Sequence, residues 1–401
     1  MIYDVCVVGS GPANLFAAME IVNNSNLNLL VLEKARRLND SRNVAMGWLG
    51  GSARSTIKMF VDPGFGGEIK SKQTIETFVN RLENYGKQKV RISKKKLLKR
   101  SVKRANDLGF EVDEPETILY TEDKMIKLGD FFYSHLREKA TVTHKINITK
   151  IYKAAGIFNI ITNEGNYQAK RVLLGMGRSG AFWLIGENKE FDLSYDGGSF
   201  DFGVRLEFPN YLLKDFADRT TSFRLKFDDF RTTIPIFSGT IETEEVGHIR
   251  VSNGRGWNSS KSHMANIGVL KKFETDQPLE DVYRLSEIVN VLSDGQLLRD
   301  SMSRVMRGEV LASHLPEFAE IAKGLKKLSG LFPDLKKRCT VYAPEARLNA
   351  VRFKLAESME TDVPGLYLVG DMSGKTSSFV QAACSGLLAA ENILKESGAK
   401  K

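Results

Sequence analysis

The sequence predicts an α/β fold in which one parallel sheet takes strands from both ends of the 401-residue chain. Near the start, the apolar strand Ile2 to Val8 leads into the turn Gly9-Ser10-Gly11-Pro12-Ala13-Asn14 and an Ala-rich helix. A second apolar strand, Leu27 to Leu32, ends at Glu33. Near the other end, the strand Leu366 to Val369 runs into Gly370-Asp371 and a last helix. These units predict a Rossmann-like domain that is discontinuous in sequence.

The first turn has the composition of a dinucleotide-binding site. Its backbone N–H groups and the positive end of the helix would face a pyrophosphate, and Gly11 lets that backbone come close. Glu33, followed by Lys34, stands where a carboxylate accepts hydrogen bonds from ribose hydroxyls. Asn14 replaces the third glycine of the usual pattern, which implies slightly looser packing of the helix on the strand. The whole turn from Gly9 to Asn14 is therefore predicted to bind the cofactor.

The segment Thr361 to Asp371 decides which dinucleotide this is. It resembles the second flavin-binding motif of FAD enzymes built on two dinucleotide-binding folds, and a simple NAD dehydrogenase would not need it. The resemblance implies that Asp371 accepts a hydrogen bond from the ribityl chain. The helix that follows, with Ser377, Ser378 and Phe379 at its start, would aim its N-terminus at the flavin's pyrimidine ring. The predicted cofactor is FAD.

Composition limits the class of protein. With 42% hydrophobic and 27% charged residues, the chain is expected to be an ordinary soluble globular protein. No apolar run approaches the length of a membrane span, and the first residue leads directly into the predicted flavin strand, so we expect a cytoplasmic location. Three cysteines without a Cys-x-x-Cys pair indicate core residues rather than a redox dithiol. Five histidines without ligand spacing predict no metal.

The middle of the chain is predicted to hold an insertion, a crossover and a second domain. Residues 61–140 are expected to be a mainly helical insertion, and Thr141 to Gly177 a β-meander that returns to the FAD sheet. Residues 1–185 and 331–401 then form the FAD-binding domain. Residues 186–330 form an inserted α+β substrate domain.

The return turn, Gly175-Met176-Gly177, continues to Gly180 and so also spells Gly-x-Gly-x-x-Gly. A second dinucleotide site for NAD(P)H is one interpretation. The return crossover beside FAD is favoured, because no further strand ending in an acidic residue follows. Gly175 and Gly177 are therefore predicted to contact FAD.

A glycine-dense loop, Met46 to Arg54, follows the ribose-binding strand, where the edge of the isoalloxazine ring is expected. Gly50 and Gly51 in this loop, and Asn43 before it, are predicted to bind the cofactor. Arg54 and Lys58 are further polar candidates there. A surface turn and an exposed lysine are the alternatives.

Much of the net charge of +9 is local, since ten of the eighteen residues from Lys87 to Arg104 are Lys or Arg. Such a segment could bind nucleic acid, an acidic partner or a membrane surface. Apolar residues interrupt it at roughly helical spacing, so a solvated helix face is favoured over a nucleic-acid site.

Together the motifs resemble the poorly characterised bacterial and archaeal FAD-dependent dehydrogenases of the two-dinucleotide-binding-domain flavoprotein superfamily. The resemblance rests on the two cofactor turns, on Gly50-Gly51 with Ser55 and Lys58, on Gly177 to Gly180, and above all on Asp201 to Glu207. The family carries Ser-Asp-Gly-Lys-Leu where this chain has Ser55-Thr56-Ile57-Lys58-Met59, so no substrate role is transferred.

The resemblance implies an oxidoreductase that transfers a hydride between a small organic substrate and FAD, with NAD(P)H as one candidate partner. The sequence identifies no catalytic acid or base. Arg205 and Glu207 either face the flavin or form a cross-strand ion pair. A flavoprotein that acts on tRNA or isoprenoid chains and a non-catalytic FAD-fold binding protein are the alternatives.

Overall fold

The computed structural model describes residues 1–35, 47–52, 57–197, 199–256, 262–310, 315–347 and 351–398. The chain divides into two compact units. Unit 1 comprises Met1–Arg91, Ile118–Asp196 and Val351–Lys401, and unit 2 comprises Ile92–Thr117 and Gly197–Ala350.

This division draws the boundaries differently from the sequence, which assigned residues 92–117 and 331–350 to the FAD-binding domain. Strand pairing is the reason. Glu111–Asp113 pairs with Arg224–Phe227, and Thr340–Arg347 pairs with Ser199–Pro209, so both segments belong to the sheet of unit 2.

Within the described residues, the sheet of unit 1 has seven strands. Ile2–Val8 pairs in parallel with Leu29–Leu32 on one side and with Gly165–Leu174 on the other. Leu366–Leu368 pairs in parallel with the end of Gly165–Leu174. The beginning and the end of the chain therefore contribute strands to one sheet, as the sequence predicted. The remaining strands of this sheet are Thr141–Thr143, Ile148–Ala154 and Ile157–Thr162.

The β-meander returns to the sheet through one long strand. This strand, Gly165–Leu174, is ten residues long. Its first half pairs with the antiparallel strand Ile157–Thr162, and the last pair of that register is Ala169 with Phe158. Its second half lies between Ile2–Val8 and Leu366–Leu368, which carries the crossover turn to the edge where the other parallel strands end.

The helices of unit 1 bury the apolar faces of its strands. Pro12–Asn24 and Phe379–Glu396 touch at Gly386, where a Cβ would lie only 1.8 Å from the carbonyl oxygen of Ala13. Phe16 on the first helix has its ring centre 5.3 Å from those of Phe78 and Phe132. The other helices and short strands that the structure describes here are Lys72–Gly86, Glu122–Lys139, Arg178–Gly186, Ile57–Phe60, Thr117–Tyr120, Tyr195–Asp196 and Arg352–Phe353.

Unit 2 is built on an antiparallel sheet, with eight strands in the described part of the chain. Its long strand Ser199–Pro209 lies between Met264–Glu274 and Thr340–Arg347. Phe202 on this strand packs edge-on against Phe318 of the helix Pro316–Leu331. The other strands are Glu111–Asp113, Arg224–Phe227, Phe230–Thr232, Ile236–Phe237 and Leu298–Ser301, with a separate hairpin of Gly239–Val246 and Ile249–Gly256. The other helices are Lys99–Asp107, Pro278–Val291, Met302–Met306 and Leu335–Arg338.

Candidate cofactor-binding site

The first glycine turn has the geometry of an anion-binding turn. Gly9 has a φ of +94°, and a Cβ there would lie 2.7 Å from the backbone oxygen of Gly175, so only glycine fits. Helix Pro12–Asn24 follows with Gly11 as its N-terminal cap and no side chain bonded to its first turn. The N–H groups of Ala13 and Asn14 lie in that first turn, where no intrahelical carbonyl can accept them. These donors suit a phosphate.

Glu33 lies directly against the turn. Its Oε2 accepts hydrogen bonds from the backbone N of Ser10 at 2.8 Å and from the Ser10 hydroxyl at 2.6 Å. Its Oε1 accepts one from Ala35 N at 2.7 Å, and the residue is 5% exposed. A carboxylate has about four lone-pair sites, so acceptor capacity remains for ribose hydroxyls. Lys34 next to it is exposed.

Asn14, at the third glycine position, ties the helix to the strand. Its Nδ2 lies 2.6 Å from the carbonyl oxygen of Val8 and 2.9 Å from that of Gly9. The residue is fully buried, and a Cβ at Gly175 would lie 2.6 Å from its Nδ2. The looser packing expected from the missing glycine is therefore not observed, because Gly175 supplies the space that Asn14 takes.

The crossover turn belongs to the same cluster. Gly175 N donates to the carbonyl oxygen of Val8 at 3.0 Å, beside Gly9. Gly177 has a φ of +71° and precedes the helix Arg178–Gly186. Because the strand before this turn lies between the strands of the two cofactor motifs, the geometry supports the return crossover over a separate NAD(P)H site.

The second motif touches the first. Gly370 has a φ of +65°, and a Cβ there would lie 3.2 Å from the Cβ of Ala13. Its N–H donates to the Ser385 hydroxyl at 2.8 Å, and Gly370–Ser373 forms a 3₁₀ turn. Asp371 in this turn is half-buried. Residues from the two ends of the chain thus meet at the first turn of helix Pro12–Asn24.

The N-terminus of the last helix is engaged by the protein. The Ser378 hydroxyl caps the helix by accepting from Gln381 N at 3.3 Å, and Ser377 N donates to the carbonyl oxygen of Gly66 at 2.8 Å. Phe379 packs into the core with its ring 6.2 Å from that of Phe78. A flavin contact from Ser377, Ser378 and Phe379 stays a prediction.

The segment Gly66–Ile69 lies across that N-terminus and was not identified from the sequence. A Cβ at Gly67 would lie 2.4 Å from Gln381 Oε1. The Gln381 amide accepts from Ile69 N and donates to Ile69 O, both at 2.9 Å. The pair Gly66-Gly67 was the one available signal, since adjacent glycines mark a close approach of backbone to another group.

Residues 47–52 of the glycine-dense loop lie beside the turn from Gly9 to Asn14, and a flavin contact from them stays a prediction. Leu49 N donates to the carbonyl oxygen of Ser10 at 2.8 Å. Trp48 is buried and its Nε1 donates to Gly129 O at 3.0 Å, so this residue packs in the core. Gly50 is partly exposed and Gly51 is exposed. Lys58 is half-buried in Ile57–Phe60, while Asn43 and Arg54 lie outside the described residues.

Two buried polar atoms beside these motifs have no hydrogen-bond partner within the described residues. They are Asn14 Oδ1 in the first motif and Thr376 Oγ1 just after Gly370-Asp371. Buried polar groups are nearly always paired, so these two atoms are exceptions within the core. The turn that only glycine fits at Gly9 and the carboxylate at Glu33 fit a dinucleotide with hydroxyl and phosphate groups.

Arg205 and Glu207, the candidate substrate residues, do not pair with each other. Arg205 is buried and forms a two-point ion pair with Glu345, with Nε to Oε2 at 2.8 Å. Burial opposes the ionisation of Glu345, but the Arg205 guanidinium, with Arg347 and the Ser252 hydroxyl, outweighs burial and lowers the pKa of that carboxyl. Glu207 accepts from the Tyr342 hydroxyl at 3.0 Å. The alternative in which Arg205 and Glu207 form an ion pair with each other is therefore wrong, because both lie on Ser199–Pro209 and each bonds a residue of the neighbouring strand Thr340–Arg347.

The basic segment is largely paired with acceptors. Lys94 bonds Glu116, Lys95 bonds Asp218, and Lys96 donates to the carbonyl oxygen of Glu114. The same holds for Lys89 with Glu83, Lys103 with Asp107, and Arg104 with the carbonyl oxygen of Leu331. The net field that this segment offers to a nucleic acid is correspondingly smaller.

The cysteines lie in the core of the described structure. Cys6, Cys339 and Cys384 are buried and unbonded to one another. Burial raises the pKa of the Cys384 thiol to about 12 and also raises the pKa of the Cys6 thiol. Over the same residues, no group of three His, Cys, Asp or Glu side chains is placed to hold a metal. None of the helices described is both long enough and apolar enough to cross a membrane.

Comparison with known proteins gives one partial family match and several structures of similar fold. A family model described as glucose inhibited division protein A, GIDA, matches residues 335–401, which contain the second motif and the last helix but well under half of the chain. No curated protein sequence matches the chain. Among solved structures, a mutant of the halogenase PltM in complex with FAD is similar in fold, with a TM-score of 0.50 and 13% identity over 100% of this chain and 71% of that one.

Two further solved structures are similar over most of their length. NikD, an unusual amino acid oxidase essential for nikkomycin biosynthesis, has a TM-score of 0.49 and 13% identity over 100% of this chain and 95% of that one. Glycine oxidase from Geobacillus kaustophilus has a TM-score of 0.48 and 13% identity over 98% and 95%. The fold shared with the FAD-bound halogenase confirms the predicted fold class, and this likeness together with the GIDA match agrees with the resemblance to FAD-dependent flavoproteins.

Proposed function

We propose that this chain is an FAD-dependent oxidoreductase that transfers a hydride between an organic substrate and bound FAD. One observation carries the proposal: Gly370 of the second motif lies against Ala13 of the first, so one ligand can contact both. The shared flavoprotein fold supports the same cofactor. The substrate stays unidentified.

The residues of unit 1 divide the binding of FAD among them. The N–H groups of Ala13 and Asn14 hold the pyrophosphate, and Glu33, held by Ser10, accepts from the ribose hydroxyls. Asp371, in the turn beside Ala13, accepts from the ribityl chain. The flavin supplies the hydride chemistry when bound. Gly50 and Gly51 lie on the loop joined to Ser10 through Leu49, where their backbone contacts the cofactor.

Absorption spectroscopy tests the proposal directly. The purified chain reconstituted with FAD is expected to show bound-flavin absorbance, and anaerobic NADH or NADPH is expected to bleach it if a pyridine nucleotide closes the cycle. If the purified chain does not bind FAD, the proposal is overturned. FAD that stays oxidised with every organic reductant tried indicates the non-catalytic binding protein instead.

Glu33→Gln tests the ribose contact. The variant removes the negative charge and replaces one acceptor oxygen by an amide N–H group, which cannot accept a hydrogen bond from a ribose hydroxyl. Because a charge-assisted contact is lost, Kd for FAD is expected to rise about 10- to 100-fold. Glu360→Gln is the matched control, because Glu360 also accepts a backbone N–H, from Gly365 at 2.6 Å, away from the phosphate turn. An equal effect of both variants would refute the assigned contact.

Nucleic acid is the second partner that the sequence left open. Arg91, Lys99 and Arg100 are exposed, and no ion pair engages them in the described structure, so they are the residues to change. RNA that copurifies at moderate salt and is lost on changing all three to Glu would favour a flavoprotein that acts on RNA. NAD(P)H binding and a cytoplasmic location likewise stay predictions.

A further inference from the structure

We propose that a basic corner of unit 2 docks on a bilayer surface that carries anionic lipid headgroups, with one leucine inserted at the level of those headgroups. The basic corner consists of Leu98, Lys99 and Arg100 from one segment and of Lys214 and Arg219 from another, all exposed. The inference goes beyond the proposed function, because it concerns where the chain is held and does not depend on FAD.

A hydrogen bond joins the two segments of the basic corner. The Ser101 hydroxyl donates to the carbonyl oxygen of Asp215 at 3.2 Å. Arg100 directly precedes the first of these residues and Lys214 directly precedes the second. Both segments belong to unit 2. Cations from two distant parts of the chain therefore lie beside one shared contact.

A second contact brings Arg219 to the same place. Lys95 Nζ donates to the Asp218 carboxylate and, at 2.9 Å, to the Thr220 hydroxyl, which are the neighbours of Arg219 on either side. The Lys95–Asp218 ion pair is neutral as a whole. Asp215 is the remaining carboxylate of these two segments in the described structure. Four cations against one carboxylate leave the basic corner positive.

The four cations of the basic corner differ from their neighbours in their pairing. Lys94 and Lys103 in the same basic segment are held by Glu116 and Asp107. Those of the basic corner are exposed and form no ion pair in the part of the chain that the structure describes. Each Lys or Arg near an anionic leaflet strengthens binding about fivefold, and clusters of about four to eight of them are typical of lipid-binding surfaces.

Leu98 distinguishes a lipid surface from other polyanions. It is 54% exposed, although its neighbour Leu97 is buried. An exposed leucine leaves water when it enters the boundary between headgroups and acyl chains, whereas a nucleic acid is held by phosphate contacts and by stacking on aromatic rings. The exposed aromatic residue of the second segment, Tyr211, has the Arg338 guanidinium 5.8 Å from its ring centre and bonded to its hydroxyl. Cations beside an exposed aliphatic side chain fit a bilayer better than an RNA.

Cosedimentation of the full chain with vesicles tests the inference. The protein is expected to sediment with phosphatidylcholine vesicles that contain about one third phosphatidylserine, and to stay in solution with phosphatidylcholine alone. Added salt should release it, because exposed charges are screened within about 8–10 Å. Sedimentation with neither kind of vesicle, or equal sedimentation with both, overturns the inference.

The double variant Lys99→Glu, Arg100→Glu tests the basic corner itself. Its partition onto the anionic vesicles should fall at least about 25-fold, since two attractive charges are lost. The double variant Lys127→Glu, Lys189→Glu is the matched control, because it changes the net charge equally at two exposed positions of unit 1. An equal loss in both double variants would show that total charge governs binding, and would overturn the inference.

Leu98→Ser tests the inserted side chain. Vesicle binding should weaken about 3- to 10-fold, whereas Leu119→Ser, at a leucine of unit 1 that is 43% exposed, should leave it unchanged. Unchanged binding of Leu98→Ser overturns the insertion.

Filter binding of RNA identifies the competing partner. RNA binding that the Lys99→Glu, Arg100→Glu variant loses and Leu98→Ser keeps, in a protein that ignores vesicles, would assign the basic corner to nucleic acid and overturn the inference. Flavin titration keeps the two proposals apart. All these variants should bind FAD with the Kd of the natural protein, and failure of the natural protein to bind FAD overturns the proposed function while leaving the vesicle result in force.

Discussion

The two helices expected to face FAD begin in opposite ways. Pro12–Asn24 follows Gly11, and no side chain caps its first turn. Phe379–Glu396 follows Ser378, whose hydroxyl caps Gln381 N. Both helices carry the same positive partial charge at this end. Only the first keeps its backbone donors for a ligand.

The second helix is also covered by Gly66–Ile69, which bonds Ser377 N and both polar atoms of the Gln381 amide. The comparison teaches that a glycine turn followed by a helix locates an N-terminus, while tertiary neighbours decide whether its donors serve a ligand or the fold. We expect anion binding at the first helix and a structural role at the start of the second.

Gly9→Ala should have the largest effect, because it changes the turn before Pro12–Asn24, the helix whose N-terminal donors stay available to a ligand. Alanine at a φ of +94° is strained, and its Cβ would overlap the backbone oxygen of Gly175 at 2.7 Å. We expect a loss of about 2–4 kcal/mol in the free energy of unfolding and no measurable binding of FAD at micromolar concentration. Urea denaturation and flavin titration measure the two quantities.

Gly156→Ala separates backbone strain from the overlap. Gly156 has a φ of +78°, and a Cβ there meets nothing within 4 Å. It should lose about 1 kcal/mol and bind FAD normally. If Gly9→Ala is no worse than this control in stability and still binds FAD, the first turn does not hold the pyrophosphate.

Gln381→Leu should have an intermediate effect, because it changes the N-terminus of Phe379–Glu396, which Gly66–Ile69 covers. It leaves the buried Ile69 N–H without a partner, while Ile69 C=O keeps the bond from Gly64 N, at a cost of about 1–3 kcal/mol in the free energy of unfolding. Kd for FAD should change less than about twofold once the protein is folded. Gln168→Leu, at an exposed site on the strand Gly165–Leu174, should change neither quantity.

The sheet, both glycine turns and Glu33 could be predicted because short stretches of sequence encode them. An apolar strand, a glycine at positive φ and a carboxylate at the next strand end are local features. The segment Gly66–Ile69 over the N-terminus of the last helix could not be predicted, because the Gln381–Ile69 contact joins residues 312 positions apart. Arg205 likewise forms its ion pair with Glu345, 140 positions away, whereas the nearby Glu207 was the partner considered from the sequence.

Asn14 shows a second limit of local patterns. Its departure from glycine was visible, but its consequence depends on Gly175, which returns from the β-meander to leave exactly the space that a side chain at position 14 needs. A residue that breaks a motif and a distant glycine that accommodates it form one feature, and only the tertiary structure joins them.

Ser378→Ala should have the smallest effect and decides the comparison most cleanly. Loss of an N-terminal cap costs about 1 kcal/mol, and Ser71→Ala, which removes the cap of Lys72–Gly86, should cost the same. Flavin titration of both variants should give the Kd of the natural protein. If Ser378→Ala alone raises Kd by about tenfold or more, its helix faces the flavin when FAD is bound. Gly66–Ile69 would then have to move on binding, and the two helix ends would be alike.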